Sequence, residues 1–277
     1  MNREPPATLL RNALEDARRI RRLEPRVTFL TCGYDTVFTS LEHQVYRKLA
    51  QLEVAYGDEV EWSLVIVDDL PGRFRLSENA LWAAERLGLQ PKLRLIQSVE
   101  PRHPDGRNKG ASLAQGLRDL ANDGHDAVVY CNLNLKVHAA FSAPGLALIL
   151  EQGHGAAIGT RSPEEGGYAR GAGSLGRAKS VGFNTLVSTV LPELSRYRDT
   201  NAPMKVFSRA ATSVLAERAT LSHITMDCDW LMILHREGLD PIRFPIVWTQ
   251  IPGSAPPWGR VPASALDVLW LRTWHRR

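Results

Sequence analysis

The chain has 277 residues, 44% of them apolar and 23% charged, with a net charge of +4. That balance buries a large core, so a disordered or fibrous protein is excluded, one globular domain is expected, and no nucleic-acid partner is called for. No apolar run approaches the roughly 18 to 20 residues needed to cross a bilayer, and "MNREPPATLL" lacks the apolar stretch of a secretion signal, so a cytoplasmic protein is expected.

Residues 1–25 read as an N-terminal basic helix, with Leu9, Leu10, Leu14 and Ile20 at helical spacing beside Arg11, Arg18, Arg19, Arg21 and Arg22. From residue 26 onward apolar strands alternate with helices. "RVTFLTCGYD", "EWSLVIVDD", "KLRLIQ", "DAVVYCNLN" and "GAAIGTR" end in polar residues or glycine, while "TSLEHQVYRKLAQLEV", "ENALWAAERLG", "NKGASLAQGLRDLAND" and "PGLALILEQG" carry helical periodicity. Crossovers of that length join parallel strands, and in an open parallel sheet the ligand lies beyond the carboxyl ends of the strands. Those ends carry Thr31, Cys32 and Asp35, then Asp68 and Asp69, then Asn132 and Asn134, then Thr160 and Arg161.

Adjacent carboxylates such as Asp68 and Asp69 can hold a base and a ribose through charge-assisted hydrogen bonds, or simply open a turn before Pro71. "GRNKGASLAQGL" is a basic loop running into a helix whose amino terminus, with Arg107 and Lys109, suits an anion, although it lacks the order of a Walker loop. "RSPEEGGYARGAGSLGR" is glycine-rich and charged and reads as a loop over a site. After it come a helix "AKSVGFNTLVSTVL", a segment "SRYRDTNAPMKVFSR", a helix "MDCDWLMILHREG" and a strand "PIRFPIVWTQ", so the second half mixes helices with one or two strands. Asp227 and Asp229 head the later helix, where a carboxylate either caps the helix or serves a site. The tail 263–277 is a second amphipathic helix with Leu266, Trp270 and Trp274 on one stripe and Arg272, Arg276 and Arg277 beside it, suited to an anionic membrane surface or to packing on the domain. Cys32, Cys131 and Cys228 are too dispersed for a zinc site and are expected as buried thiols.

The ordered series "VIVDD", "GRNKGASLAQGL", "VVYCNLN", "IGTR", "RDTNAPMKVFSR" and "MDCDWLMILHREGLDPIRFPIVWTQIPGS" resembles the family-two glycosyltransferases of GT-A fold, most closely the dolichyl-phosphate or polyprenyl-phosphate branch, from about residue 27 to the end. The resemblance implies an α/β fold with a mostly parallel, Rossmann-like sheet and flanking helices, a single domain over 26–262 between the two terminal helices. It implies an inverting transfer of a sugar from a UDP- or GDP-linked donor, with a polyprenyl phosphate as the acceptor and peripheral contact at the inner face of the membrane. A soluble specialised-metabolite acceptor and a non-catalytic nucleotide-sugar-binding protein are the alternatives. Carried across on matching positions, it implies donor-binding roles for Thr31, Asp35, Asp68, Asp69, Lys109, Asn132, Asn134 and Arg161. Asp199 and Lys205 are implied at the acceptor or phosphate, where Arg170 is also expected because its segment should border the site, and Asp227 and Asp229 are implied as the catalytic acids, with Asp227 the candidate base. A sugar-phosphate nucleotidyltransferase ranks lower, because "TCGYDTVFTS" has no basic residue after the first strand.

One departure bears on the cofactor. In the resembled family the strand holding Asn132 and Asn134 ends in Asp-x-Asp, whose carboxylates bind Mg²⁺ or Mn²⁺ against the donor diphosphate. Two neutral amides supply no charge to a hard cation, so no metal cofactor is expected, and Lys109, Lys136, Arg161, Arg170 and Lys205 are expected to take its place.

Overall fold

The computed structural model describes residues 4–33, 41–68, 76–98, 109–171, 173–220, 225–251 and 261–275. Helix α1 (Pro6–Arg21) leads into β1 (Arg26–Gly33), and α2 (Leu41–Tyr56), β2 (Glu61–Asp68), α3 (Leu76–Glu85), β3 (Leu93–Gln97), α4 (Lys109–Leu120) and β4 (Ala127–Cys131) follow in alternation. The chain continues through α5 (Ser142–Leu150), β5 (Ala156–Thr160), β6 (Tyr168–Arg170), α6 (Ser174–Val190), β7 (Met204–Ser208), α7 (Arg209–Arg218), α8 (Met226–Arg236), β8 (Ile242–Pro245), β9 (Val247–Thr249) and α9 (Val261–Trp274).

Seven strands form one sheet in the order β3-β2-β1-β4-β7-β5-β8, and β6 pairs with β9 in a separate two-stranded ribbon. Strands β1 to β4 are parallel to one another, as the helical crossovers require. β7 runs antiparallel between β4 and β5, so its first residues, Met204 and Lys205, arrive at the same edge as the carboxyl ends of β4 and β5. Composition places the core on both faces. Phe29, Leu64, Ile66 and Val129 pack with α1, α2, α3 and α5, while Leu30, Val67, Val128 and Phe207 pack with α4 and the later helices. Alternation along each strand produces that division. Glycines let two helices approach closely: a Cβ on Gly116 of α4 would lie 2.6 Å from Leu30, and one on Gly145 of α5 would lie 2.6 Å from Val206. Adding that methyl forces the layers apart, at about 1–3 kcal/mol.

Three differences from the sequence reading have local causes. "MKVFS" is a strand, β7, inside a segment without strand-like flanks, because it is buried between β4 and β5. The run "PIRFPIVWTQ" is split in two: Pro245 closes β8 beside Thr160, and buried Ile246 accepts from the Tyr168 amide at 2.9 Å as the chain passes to the β6–β9 ribbon. The glycine-rich segment contributes a short strand to that ribbon instead of remaining a loop throughout.

Both terminal helices dock on the domain. α1 buries Leu9, Ala13, Ala17 and Ile20, and its arginines clasp neighbours: Arg19 meets Glu151 at 2.7 Å and Arg21 donates to the Ala55 and Val54 carbonyls. α9 buries Val268 and Leu271, His275 just beyond it is buried as well, and Arg272 pairs with Glu193 at 2.9 Å. Its opposite stripe, Leu266, Leu269, Trp270 and Trp274, is exposed, with the two indoles stacked at 5.1 Å. Among the described residues no helix is long and apolar enough to cross a membrane.

Candidate active site

The strand ends converge on one group of side chains. On β4 alternation puts Tyr130 and Asn132 on the same face. The Tyr130 hydroxyl donates to Asn132 Oδ1 at 3.0 Å, and Lys109 Nζ, from the first turn of α4, donates to the same oxygen at 3.3 Å. Directly across the antiparallel pairing Lys205 faces Tyr130, and the Lys109 and Lys205 ammonium groups lie 5.2 and 5.5 Å from the centre of its ring. Trp230 of α8 supports that ring from below, edge-on at 5.6 Å. Burial pushes the Tyr130 phenol up, so it is a neutral donor. Burial works against the charge on Lys109, but Tyr130 and Asp227 outweigh it and raise its pKa.

Two carboxylates are bound to cations inside this group. Lys205, 1% exposed, donates to Asp227 Oδ1 at 2.5 Å and to the Ala202 carbonyl at 2.9 Å. Asp199 accepts a fork from Arg161, Nε at 2.7 Å and Nη2 at 2.5 Å, together with the Arg161 backbone amide at 3.0 Å. Burial opposes the Arg161 charge, and the Asp199 bonds and then Asp227 raise its pKa above the ordinary value. Removing one partner from a buried pair leaves the other charge uncompensated, at about 3–5 kcal/mol. Asp227 therefore sits among Lys109, Arg161 and Lys205.

Beyond Asn132 the chain turns through Asn134, whose Oδ1 accepts from the Lys136 amide at 3.3 Å. Lys136 and Arg161 each lie 5.5 Å from the Trp248 ring of β9, so the β6–β9 ribbon forms one wall of the site. Burial, then Arg161, then Lys109 depress the Lys136 pKa: three like charges share one space. The loop is anchored from beneath by α2, where buried Lys48 donates to the Val137 carbonyl at 3.1 Å and Gln51 accepts from the Ala139 amide at 3.0 Å.

Of the residues named from sequence, Lys109, Asn132, Arg161, Asp199, Lys205 and Asp227 are brought together, with Asn134 on the adjoining turn. Asp68 closes β2 opposite Gly33 on the same rim. Asp35 and Asp69 lie outside the described residues, as does Arg107. Thr31 is 1% exposed on the Phe29 side of β1, and its hydroxyl donates to the Cys32 carbonyl at 3.5 Å. Asp199 and Lys205 are buried partners of Arg161 and Asp227. Arg170 is exposed on β6, outside the buried group. Asp229 is fully buried on another side of α8, where Oδ1 meets His275 Nε2 at 3.0 Å and Oδ2 accepts from the Thr220 amide at 3.0 Å, contacts that tie the end of the chain to the domain. The three cysteines are buried as expected, and burial with Asp227 pushes the Cys228 thiol up to about 12.

Tyr130 and Trp248 were missed by the sequence reading. Tyr130 was accessible through strand alternation, two residues before Asn132. Trp248 gave no signal, because its place depends on the strand break at Pro245.

No protein-family model matches the sequence, and no curated protein matches it. Solved structures do match in three dimensions. Glucosyl-3-phosphoglycerate synthase from Mycobacterium tuberculosis in complex with Mn²⁺, uridine diphosphate and phosphoglyceric acid superposes with a TM-score of 0.63 at 15% identity, over 95% of this chain and 82% of that one. The same enzyme with Mn²⁺, uridine-diphosphate-glucose and phosphoglyceric acid gives 0.63 at 15% identity, over 95% and 83%. With Mn²⁺, uridine-diphosphate-glucose and glycerol 3-phosphate it gives 0.60 at 14% identity, over 92% and 82%. At such identities the likeness is one of fold: the chain is a single α/β domain with the GT-A architecture of these glycosyltransferases.

Proposed function

We propose that the protein is a glycosyltransferase that moves a sugar from a nucleoside-diphosphate sugar to a small anionic acceptor. The observation that carries this reading is the convergence of Lys109, Asn132, Arg161 and Asp227 beyond the carboxyl ends of parallel strands, where an open α/β sheet binds its ligand. Cations suit the diphosphate, and Asp68 at the end of β2 suits the nucleoside. In a single inverting displacement the acceptor oxygen bonds to the anomeric carbon as the bond to the β-phosphate oxygen breaks, and that electron pair departs with the nucleoside diphosphate. A hydroxyl acceptor passes its proton to Asp227, whereas a phosphate acceptor has none to lose at neutral pH. The fold neighbours carry phosphoglyceric acid or glycerol 3-phosphate beside a uridine nucleotide, which supports a small anionic acceptor over a polyprenyl phosphate.

One observation favours a lipid-linked acceptor instead: the exposed stripe of Leu266, Leu269, Trp270 and Trp274 on α9. The two readings separate by co-sedimentation with anionic liposomes at low and high salt. Protein that remains in the supernatant at low salt supports the small acceptor. The general reading is tested by incubation with UDP-, GDP- and TDP-sugars and measurement of nucleoside diphosphate released with and without phosphorylated acceptors. Asp68→Ala is expected to weaken nucleotide binding by roughly ten-fold or more. Tight nucleotide binding without turnover on any donor and acceptor would favour a binding protein over an enzyme.

A further inference from the structure

We propose that the donor diphosphate is held by the chain's own cations, Lys109 and Lys136 with Arg161 behind them, and that no divalent metal takes part in this site. The inference rests on the nucleotide-sugar reading above and specifies how the charged part of that ligand is bound.

The metal that this fold's neighbours hold beside their nucleotide does not fit the described residues. A hard divalent cation takes about six oxygen ligands and favours anionic ones. The end of β4 offers only amides, and their oxygens already accept hydrogens: Asn132 Oδ1 from the Tyr130 hydroxyl at 3.0 Å and Lys109 Nζ at 3.3 Å, Asn134 Oδ1 from the Lys136 amide at 3.3 Å. A cation on Asn132 Oδ1 would have to displace an ammonium group and remain beside it. The carboxylates of the cluster are bound elsewhere, Asp199 in the Arg161 fork and Asp227 on Lys205. Among the described residues no group of three His, Cys, Asp or Glu side chains is placed to hold a metal.

The same geometry fits an anion. Lys109, Lys136 and Arg161 gather around the strand end, two of them against Trp248, an arrangement that a polyphosphate relieves and a divalent cation worsens. With its oxygen turned to Lys109 and Tyr130, the Asn132 amide presents its NH₂ on the other side, and Asn134 is oriented likewise by the Lys136 amide. An amide NH₂ donates to a phosphate oxygen, which a carboxylate cannot do. The two asparagines thus become direct donors to the ligand, and the lysines offset the charge that collects on the leaving diphosphate.

The test is calorimetric titration of UDP, GDP and TDP into the full chain, in EDTA and in Mn²⁺ or Mg²⁺. The best nucleoside diphosphate is expected to bind with the same affinity, within about two-fold, in both conditions. Lys109→Met and Lys136→Met should each weaken it roughly ten-fold or more in EDTA while the affinity for the bare nucleoside holds, with Lys136→Arg recovering part of the loss. The Asn132→Asp/Asn134→Asp double variant should lose affinity in EDTA and regain it in Mn²⁺. Circular dichroism of each variant separates a lost contact from a lost fold. Wild-type binding that disappears in EDTA and returns with Mn²⁺ overturns this inference alone. Failure of every nucleotide to bind in either condition overturns the nucleotide reading and this inference with it.

Discussion

Asp227 and Asp229 stand two residues apart on the first turn of α8, and both are buried, yet they belong to different parts of the protein. Two residues on a helix are about 200° apart, so the pair cannot share a face. Asp227 looks toward β7 and meets Lys205 amid the cations of the candidate site. Asp229 looks toward α9, where His275 and the Thr220 amide take its oxygens. The same residue type, buried on the same helix end, meets the cation cluster in one case and a histidine and a backbone amide in the other. What separates them is the partner across the gap, and α9 supplies one of those partners from the far end of the chain.

The strongest way to break this contrast is at Asp227. Asp227→Asn is expected to lower turnover by about 10²-fold or more, measured as release of nucleoside diphosphate. It also leaves Lys205 buried without a counter-charge, so Lys205→Met added to it should recover thermal stability but not turnover. Recovery of turnover in the double variant would make Asp227 structural, like Asp229.

Asp229→Ala should move stability instead. It strips the acceptor from His275 and from the Thr220 amide, at about 3 kcal/mol, which corresponds to a fall in Tm of roughly 6–12 °C by scanning calorimetry. Nucleotide affinity, measured where the variant remains folded, should stay within about two-fold of wild type. A large loss of affinity would mean that the docking of α9 governs the site.

Arg161→Lys sharpens the comparison on the other side of the cluster. A lysine cannot reproduce the fork to Asp199, so the substitution is expected to weaken nucleoside diphosphate binding by roughly ten-fold even though the charge remains, read by calorimetry.

The smallest effect concerns the loop beneath Asn134. Burial, then Lys48 and Arg47, push the His138 pKa from 6.5 down to about 4, and its Nδ1 accepts from the Ala140 amide at 3.2 Å, so the folded chain favours the neutral ring. A folded pKa below the unfolded one gives a contribution that is complete above about pH 6.5 and is lost as the pH falls through 4. His138→Asn keeps an acceptor for the amide without titrating, and it should flatten the acid limb of Tm against pH by a few degrees. An unchanged limb would assign that limb to other groups.

Much of the first half was legible because its structure is local. Strands β1 to β4 and helices α2 to α4 show their periods in short windows, and helical crossovers dictate parallel pairing. The polar strand ends followed from that, so Asn132 and Arg161 could be named from them, while Lys109 and Asp227 were named at helix starts with the help of the family resemblance. The surroundings of Thr31, Asp199, Lys205 and Asp229 could not, since each is set by which face a side chain takes and by what stands opposite.

By itself the sequence determined the alternating α/β organisation, the polar strand ends and the neutral character of the Asn132–Asn134 turn, because all three are properties of residue type and short-range period. Only the tertiary structure decided that β7 runs antiparallel into the site, that Trp248 forms a wall of it, and that one acid of α8 meets Lys205 while the other meets His275. Those outcomes depend on pairings between segments far apart in the chain, whose partners are fixed by the packing of whole faces and leave no trace in the local pattern.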